Sequence, residues 1–273
     1  MLGQTQAKGA VITYETDGNG PPLLLIAGLG AGRWMWGPQV KGLAPRFTVI
    51  AFDNRGIGGS PREPGPLNIR MMAEDAIAVL DALQVRRAHV AGASMGGFIA
   101  QTVASLWPDR VDRLILCCTA GRGFGQVWPS PSFLRVLGFD SRSGRLAPRR
   151  LGAFFGDRFQ REHPDEVERW ARIASDNMPS YRLLWEQLIA SARFNMRGET
   201  RRIGRPTLVI HGTADRVIPV SNGRRLASEI PGARLVLVEG AGHGVMIERA
   251  DLVNQEIEKF LSAAPAAQPS AET

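Results

Sequence analysis

The sequence predicts an α/β fold: a doubly wound, mostly parallel central sheet with an inserted helical lid. Three observations carry that prediction. Short apolar runs alternate with amphipathic stretches, the pattern of parallel strands joined by crossover helices. The rhythm breaks between residues 119 and 205 and then resumes. One apolar run ends in a glycine-flanked turn, Gly92-Ala93-Ser94-Met95-Gly96, that opens a helix. The 273 residues, 44% apolar and 22% charged, suffice to bury one substantial core.

The elements follow in order. A strand is expected near residues 11–15, a turn over 17–22, and buried strands over 23–27 and 48–53. Residues 68–83 read as a helix, because Met72, Ala76, Val79, Leu80 and Leu83 fall on one face at spacings of three and four. A strand over 88–93, a helix over 95–107 stopped by Pro108, and a strand over 113–118 continue the alternation. The next block contains Pro129, Pro131, several glycines and a helix-like Arg/Glu pattern around 165–192, and reads as an insertion between two sheet strands. Order resumes with a strand over 207–211, a helix over 220–229, a strand over 234–239 and a helix over 248–261. The expected organisation is a core of residues 1–118 and 206–262, a lid or cap over 119–205, and a flexible tail over 263–273. No internal repeat is present.

Composition excludes several classes. The 31 glycines lack a three-residue period and there are only 2 cysteines, so neither a collagen nor a disulfide-built miniprotein fits. Cys117 and Cys118 are adjacent in an apolar run and read as packing side chains, since strand neighbours point to opposite faces. A reducing cytoplasm is the expected compartment. No window approaches the roughly 18 to 20 apolar residues of a spanning helix, and the first ten residues lack the apolar stretch of a secretory signal.

The formal charge of +7 lies in one segment: residues 119–205 hold 16 Arg, no Lys and 9 acidic residues, while the remainder balances 17 basic against 17 acidic. A solvated arginine-rich face accounts for this in a chain with 30 Arg and 3 Lys. The functional counterpart is a patch that steers anionic substrates. No nucleic-acid motif accompanies the charge, so no such partner is expected.

The residues able to do chemistry lie at strand ends. A nucleophilic serine on a sharp strand-to-helix turn needs small neighbours two positions either side, because a Cβ there would collide with cramped backbone. Ser94 has Gly92 and Gly96. Such a hydroxyl needs a base, usually a histidine held by a carboxylate. Of four histidines, His89 lies at the far end of the strand that delivers Ser94, about 16 Å away at ~3.3 Å per residue. His163 sits in the polar insertion, and His211 reads as part of the turn presenting Asp215. His243, in Gly240-Ala241-Gly242-His243-Gly244, follows a strand's carboxyl end, where parallel-sheet sites form. Asp215, also just past a strand end, suits the orienting acid, with helix capping as its alternative role. The chain order Ser94, Asp215, His243 is that of a serine hydrolase on a doubly wound sheet.

On these motifs the sequence resembles the α/β-hydrolase superfamily, in its serine-nucleophile esterase and lactonase branch, over about residues 23–261. The resemblance implies Ser94 as nucleophile, Asp215 as acid, His243 as base, and an oxyanion hole of the Leu29 and Met95 backbone N–H groups. The loop Ala27-Gly28-Leu29-Gly30 is similar to the family's first oxyanion loop, but has Ala27 where many members have histidine. That removes a side-chain brace and leaves the backbone donor. Asp53-Asn54-Arg55-Gly56-Ile57-Gly58-Gly59-Ser60 matches a structural signature in which Asp53 and Arg55 bond the backbone around them.

The implied reaction is cleavage of a small-molecule ester or lactone, anionic ones included, through an acyl-enzyme on Ser94. Gly28, Trp128 and Val217 are expected to line the substrate site, and the aromatic residues of the insertion either wall a pocket or pack lid on core. No metal, nucleotide or flavin is required, since neither a phosphate-loop pattern nor clustered Cys/His ligands occur. Alternatives on the same residues are a cofactor-free perhydrolase or haloperoxidase and a carbon–carbon bond hydrolase. A non-catalytic small-molecule receptor is the alternative of another class.

Overall fold

The computed structural model describes residues 1–123 and 152–263. Its strands are β1 (Leu2–Ala7), β2 (Ala10–Asp17), β3 (Pro22–Ile26), β4 (Thr48–Phe52), β5 (Ala88–Ala93), β6 (Val111–Cys117), β7 (Thr207–Gly212) and β8 (Arg234–Val238). They form one 8-stranded sheet in the order β1-β2-β4-β3-β5-β6-β7-β8. The pairs β1–β2 and β2–β4 are antiparallel and every other pair is parallel. Strands covered on both faces read as unbroken apolar runs, as Leu23 to Ile26 and Leu114 to Cys117 do.

Helices cover both faces. On one lie α1 (Gly37–Leu43) and α9 (Ala250–Ser262), whose Leu43, Val253 and Ile257 pack on Leu23, Leu25, Ala91 and Ile115. On the other lie α2 (Ile69–Ala82), α3 (Met95–Leu106) and α7 (Val220–Glu229), against Leu24, Ile26, Val90 and Leu116. Asn68 caps α2, its Oδ1 accepting the Met71 N–H at 2.9 Å. Between β6 and β7 the chain leaves the sheet and forms α4 (Asp157–Glu162), α5 (Pro164–Asp176) and α6 (Tyr181–Ala192). The short α8 (Val245–Glu248) precedes α9.

Several elements differ from expectation. Strand β1 is mostly polar and exposed, so its alternation carries no apolar signal. Its hairpin turn, Lys8-Gly9, has both φ positive, the geometry of a two-residue I′ turn. Helix α1 spans only 7 residues and begins with Gly37-Pro38, too short for periodicity to register. The helix-like stretch around 165–192 is two helices, separated near Pro179, and the last expected helix is split into α8 and α9 at Arg249. The tail expected over 263–273 falls outside the described residues apart from Ala263. Among the described residues no helix is long and apolar enough to cross a membrane.

Register brings the site together. Ala93 pairs with Cys117, Cys117 with Ile210, and Gly212 with Val238, so residues just past β5, β6, β7 and β8 meet at one sheet edge.

Candidate active site

Ser94 links β5 to α3 with φ +55° and ψ −120°, a conformation L-residues rarely adopt. The flanking glycines are sterically required: a Cβ on Gly92 would collide with the Gly96 carbonyl, and one on Gly96 with the Ile26 carbonyl. The turn is pinned by the Ser94 N–H donating to the Cys117 carbonyl at 3.0 Å and by Thr119 Oγ1 donating to the Ser94 carbonyl at 2.8 Å. Gly28 faces the hydroxyl, its vacant Cβ position lying 3.9 Å from Ser94 Oγ. Among the described residues the Leu29 and Met95 N–H groups have no hydrogen-bond acceptor.

Asp215 and His243 form a buried pair. His243 Nδ1 donates to Asp215 Oδ2 at 2.8 Å, and the Val217 and Ile218 amides donate to Oδ1 at 2.8 and 2.9 Å. Burial pushes the Asp215 carboxyl up. The charge and hydrogen bonds of His243 and His211 more than offset this and hold it well below the usual carboxylate range. Asp215 therefore acts as a fixed anion that orients the ring. Phe154 lies against the imidazole with ring centroids 5.5 Å apart. Glu248 Oε2 accepts the Gly242 and Gly156 N–H groups, tying the His243 loop to the inserted segment.

The structure thus joins Asp215 to His243 and sets Gly28 against Ser94. Among the described residues no hydrogen bond reaches the Ser94 hydroxyl. Val217 is buried in the core and serves Asp215 through its amide. Trp128 lies outside the described residues.

His211 lies in the expected strand, fully buried in β7, and its side chain reaches the site directly: its Nε2 donates to the Ile218 carbonyl at 2.9 Å and lies 3.3 Å from Asp215 Oδ2. One expectation is corrected. Arg55 bonds no neighbouring backbone: it forms a buried two-point ion pair with Asp75 of α2, Nε to Oδ2 at 2.7 Å. Asp53 does bond its loop, accepting the Gly59 and Arg33 N–H groups.

Sequence reasoning missed three contributors. Besides His211 and Glu248, Cys118 turns at φ +45° and brings its sulfur within 4.8 Å of the Asp215 and His243 ligand atoms. Burial raises this thiol well above its ordinary range, so it stays protonated beside the carboxylate. Asp215 accepts from two amides and an imidazole, so the trio is a hydrogen-bonded cluster around one carboxylate. The sequence linked His211 to Asp215 only as part of the segment that presents it, and gave no sign of the side-chain contact.

A carboxylate–imidazole pair beside a strained serine turn, at the carboxyl edge of this sheet, defines a hydrolase of the α/β type. The profile of the alpha/beta hydrolase fold matches residues 21–250, and the chain belongs to that family. It is 31% identical over 260 residues to 3-oxoadipate enol-lactonase 2 of Acinetobacter baylyi, covering 93% of this chain and 94% of that protein. It is 30% identical over 268 residues to RutD of Caulobacter segnis, named for carbamate hydrolysis, covering 93% and 97%. Among solved structures, the enol-lactonase of Burkholderia xenovorans LB400 superposes with a TM-score of 0.84 at 30% identity, covering 96% of this chain and 100% of that one. Other relatives are named as esterases, meta-cleavage product hydrolases and non-heme bromoperoxidases.

Proposed function

We propose that the protein is a serine hydrolase that cleaves a small carboxylic ester or lactone through an acyl-enzyme on Ser94. One observation carries this reading: the buried 2.8 Å bond between Asp215 and His243, at the sheet edge where Ser94 is held at φ +55°. With Nδ1–H committed to Asp215, the ring's Nε2 is the free base. His243 takes the Ser94 proton as Oγ attacks the carbonyl carbon, and the Leu29 and Met95 N–H groups stabilise the oxyanion. Collapse breaks the C–O bond, and the leaving alkoxide takes the proton from His243. Water then attacks the acyl carbon, again losing its proton to His243, and Ser94 Oγ leaves with that proton. From a lactone the alcohol stays tethered to the acyl group throughout. The enol-lactonase relatives support lactones in particular. Residence in the cytoplasm belongs to the same proposal, supported by two buried, free thiols.

The test pairs a fluorophosphonate probe with a panel of p-nitrophenyl esters and simple lactones, run on wild type and Ser94→Ala. Labelling and turnover in wild type, both lost in Ser94→Ala, are expected. A folded wild type that is neither labelled nor active would overturn the enzyme and favour a receptor. The likeness to a meta-cleavage product hydrolase, 28% identical, favours carbon–carbon cleavage as second reading. It is distinguished by falling visible absorbance of a dienoate substrate with no turnover of esters.

A further inference from the structure

The proposed oxyanion loop is held from the inserted segment as well as from the sheet. The turn at residues 28–31 is closed by the Ala31 N–H donating to the Gly28 carbonyl at 3.2 Å, and Gly30, its third residue, has φ +69°. Leu29 is absent from the positive-φ residues, so this is a type II turn. The middle peptide, Leu29–Gly30, is the soft point of such a turn, because types I and II differ chiefly by its rotation. Its N–H donates to Gln187 Oε1 of α6 at 2.8 Å, across 157 residues of chain.

Gln187 is fully buried, and its Nε2 has no partner among the described residues. The orientation of the carboxamide follows from the contact, since only the oxygen can accept from Gly30. A buried, half-satisfied carboxamide is costly, and a leucine of similar volume would pack without that cost. Packing alone therefore does not account for a glutamine here. The helix is otherwise well anchored: Leu184 Cδ2 lies 2.8 Å from the vacant Cβ position of Gly30, Leu183 covers Gly56, and Arg62 Nε donates to Glu186 Oε2 at 2.8 Å.

We propose that Gln187 is a positioning residue for oxyanion stabilisation: its carboxamide oxygen anchors the Gly30 N–H and so holds in place the 28–31 turn, whose first peptide, Gly28–Leu29, carries the Leu29 N–H. The assignment rests on the acyl-transfer reading of Ser94. In water-excluded sites small misplacements of a donor cost large factors in rate.

The experiment measures kcat and KM for p-nitrophenyl acetate, the Ki of phenylboronic acid as a tetrahedral-adduct mimic, and Tm, in Gln187→Leu and in Arg62→Gln. The leucine variant is expected to lose about 10- to 100-fold in kcat, with Ki rising in parallel and KM within about twofold. Arg62→Gln loosens the docking of α6 without touching the turn, and is expected to keep kcat within about twofold. Unchanged kcat and Ki in folded Gln187→Leu would overturn the proposal, as would equal losses in both variants, which would reduce Gln187 to docking. Gln187→Met, unbranched like the native residue, gives the same comparison if the leucine variant does not fold. A wild type that is labelled at Ser94 and active keeps these outcomes separate from failure of the acyl-transfer reading. A wild type that is neither sinks both.

Discussion

At Asp215 two imidazoles and two backbone amides converge on one carboxylate, and their combined pull exceeds the cost of burying it. Its folded-state pKa is therefore depressed, with a definite consequence for stability. The group stabilises the fold above its unfolded pKa of about 3.9, and that contribution is lost as pH falls through the lower folded value. Asp215→Asn should be less stable than wild type at neutral pH, by urea denaturation, and the gap should narrow below about pH 4. The same variant should lose about 10³- to 10⁴-fold in kcat, because asparagine no longer favours the tautomer with a proton on Nδ1. The sharp turn at Ser94 and the pairing of Asp215 with His243 were legible because these residues sit at strand ends beside glycines. His211 and Cys118 were not, because their approach to Asp215 depends on tertiary placement. The cysteine turns at positive φ, and the imidazole of His211 fills space that Gly223 leaves open.

Among elements, the strand–turn–helix of β5 and α3 tolerates least. Gly92→Ala puts a methyl group against the Gly96 carbonyl, and should cost about 3 kcal/mol of stability by urea denaturation along with most activity. The inserted segment carries the excess of arginine, but several of its guanidiniums are spent locally, as in Arg158–Glu162, Arg172–Glu168 and Arg182–Glu186. If the remaining excess attracts anionic substrates, kcat/KM for a carboxylate-bearing ester should fall as NaCl rises from about 0.05 to 0.5 M, while that for a neutral ester stays flat. Equal salt responses would leave the arginines as a solvated face. The central parallel strands could be read directly from their apolar runs. Strand β1 and helix α1 could not, since one is a polar edge and the other is two turns long.

Across the whole molecule, the loop after β4 is fastened to α2 by the buried Arg55–Asp75 pair. Removing one partner leaves an uncompensated buried charge, so Arg55→Leu should cost about 3 to 5 kcal/mol by urea denaturation. The double replacement Arg55→Leu/Asp75→Leu should recover much of that loss. The mostly parallel sheet with two covered faces followed from the alternation of apolar runs and helices, whereas the strand order and the antiparallel edge did not. The tie between inserted helix and oxyanion loop did not, because Gly30 and Gln187 are 157 positions apart and neither residue type announces the other.

That tie bears on modular exchange. Transplanting a cap from a relative, to broaden the range of compounds accepted, would also remove the acceptor for the Gly30 amide. A chimera that retains glutamine at the position equivalent to 187 starts with its catalytic loop supported, whereas one that omits it confounds altered selectivity with a weakened engine.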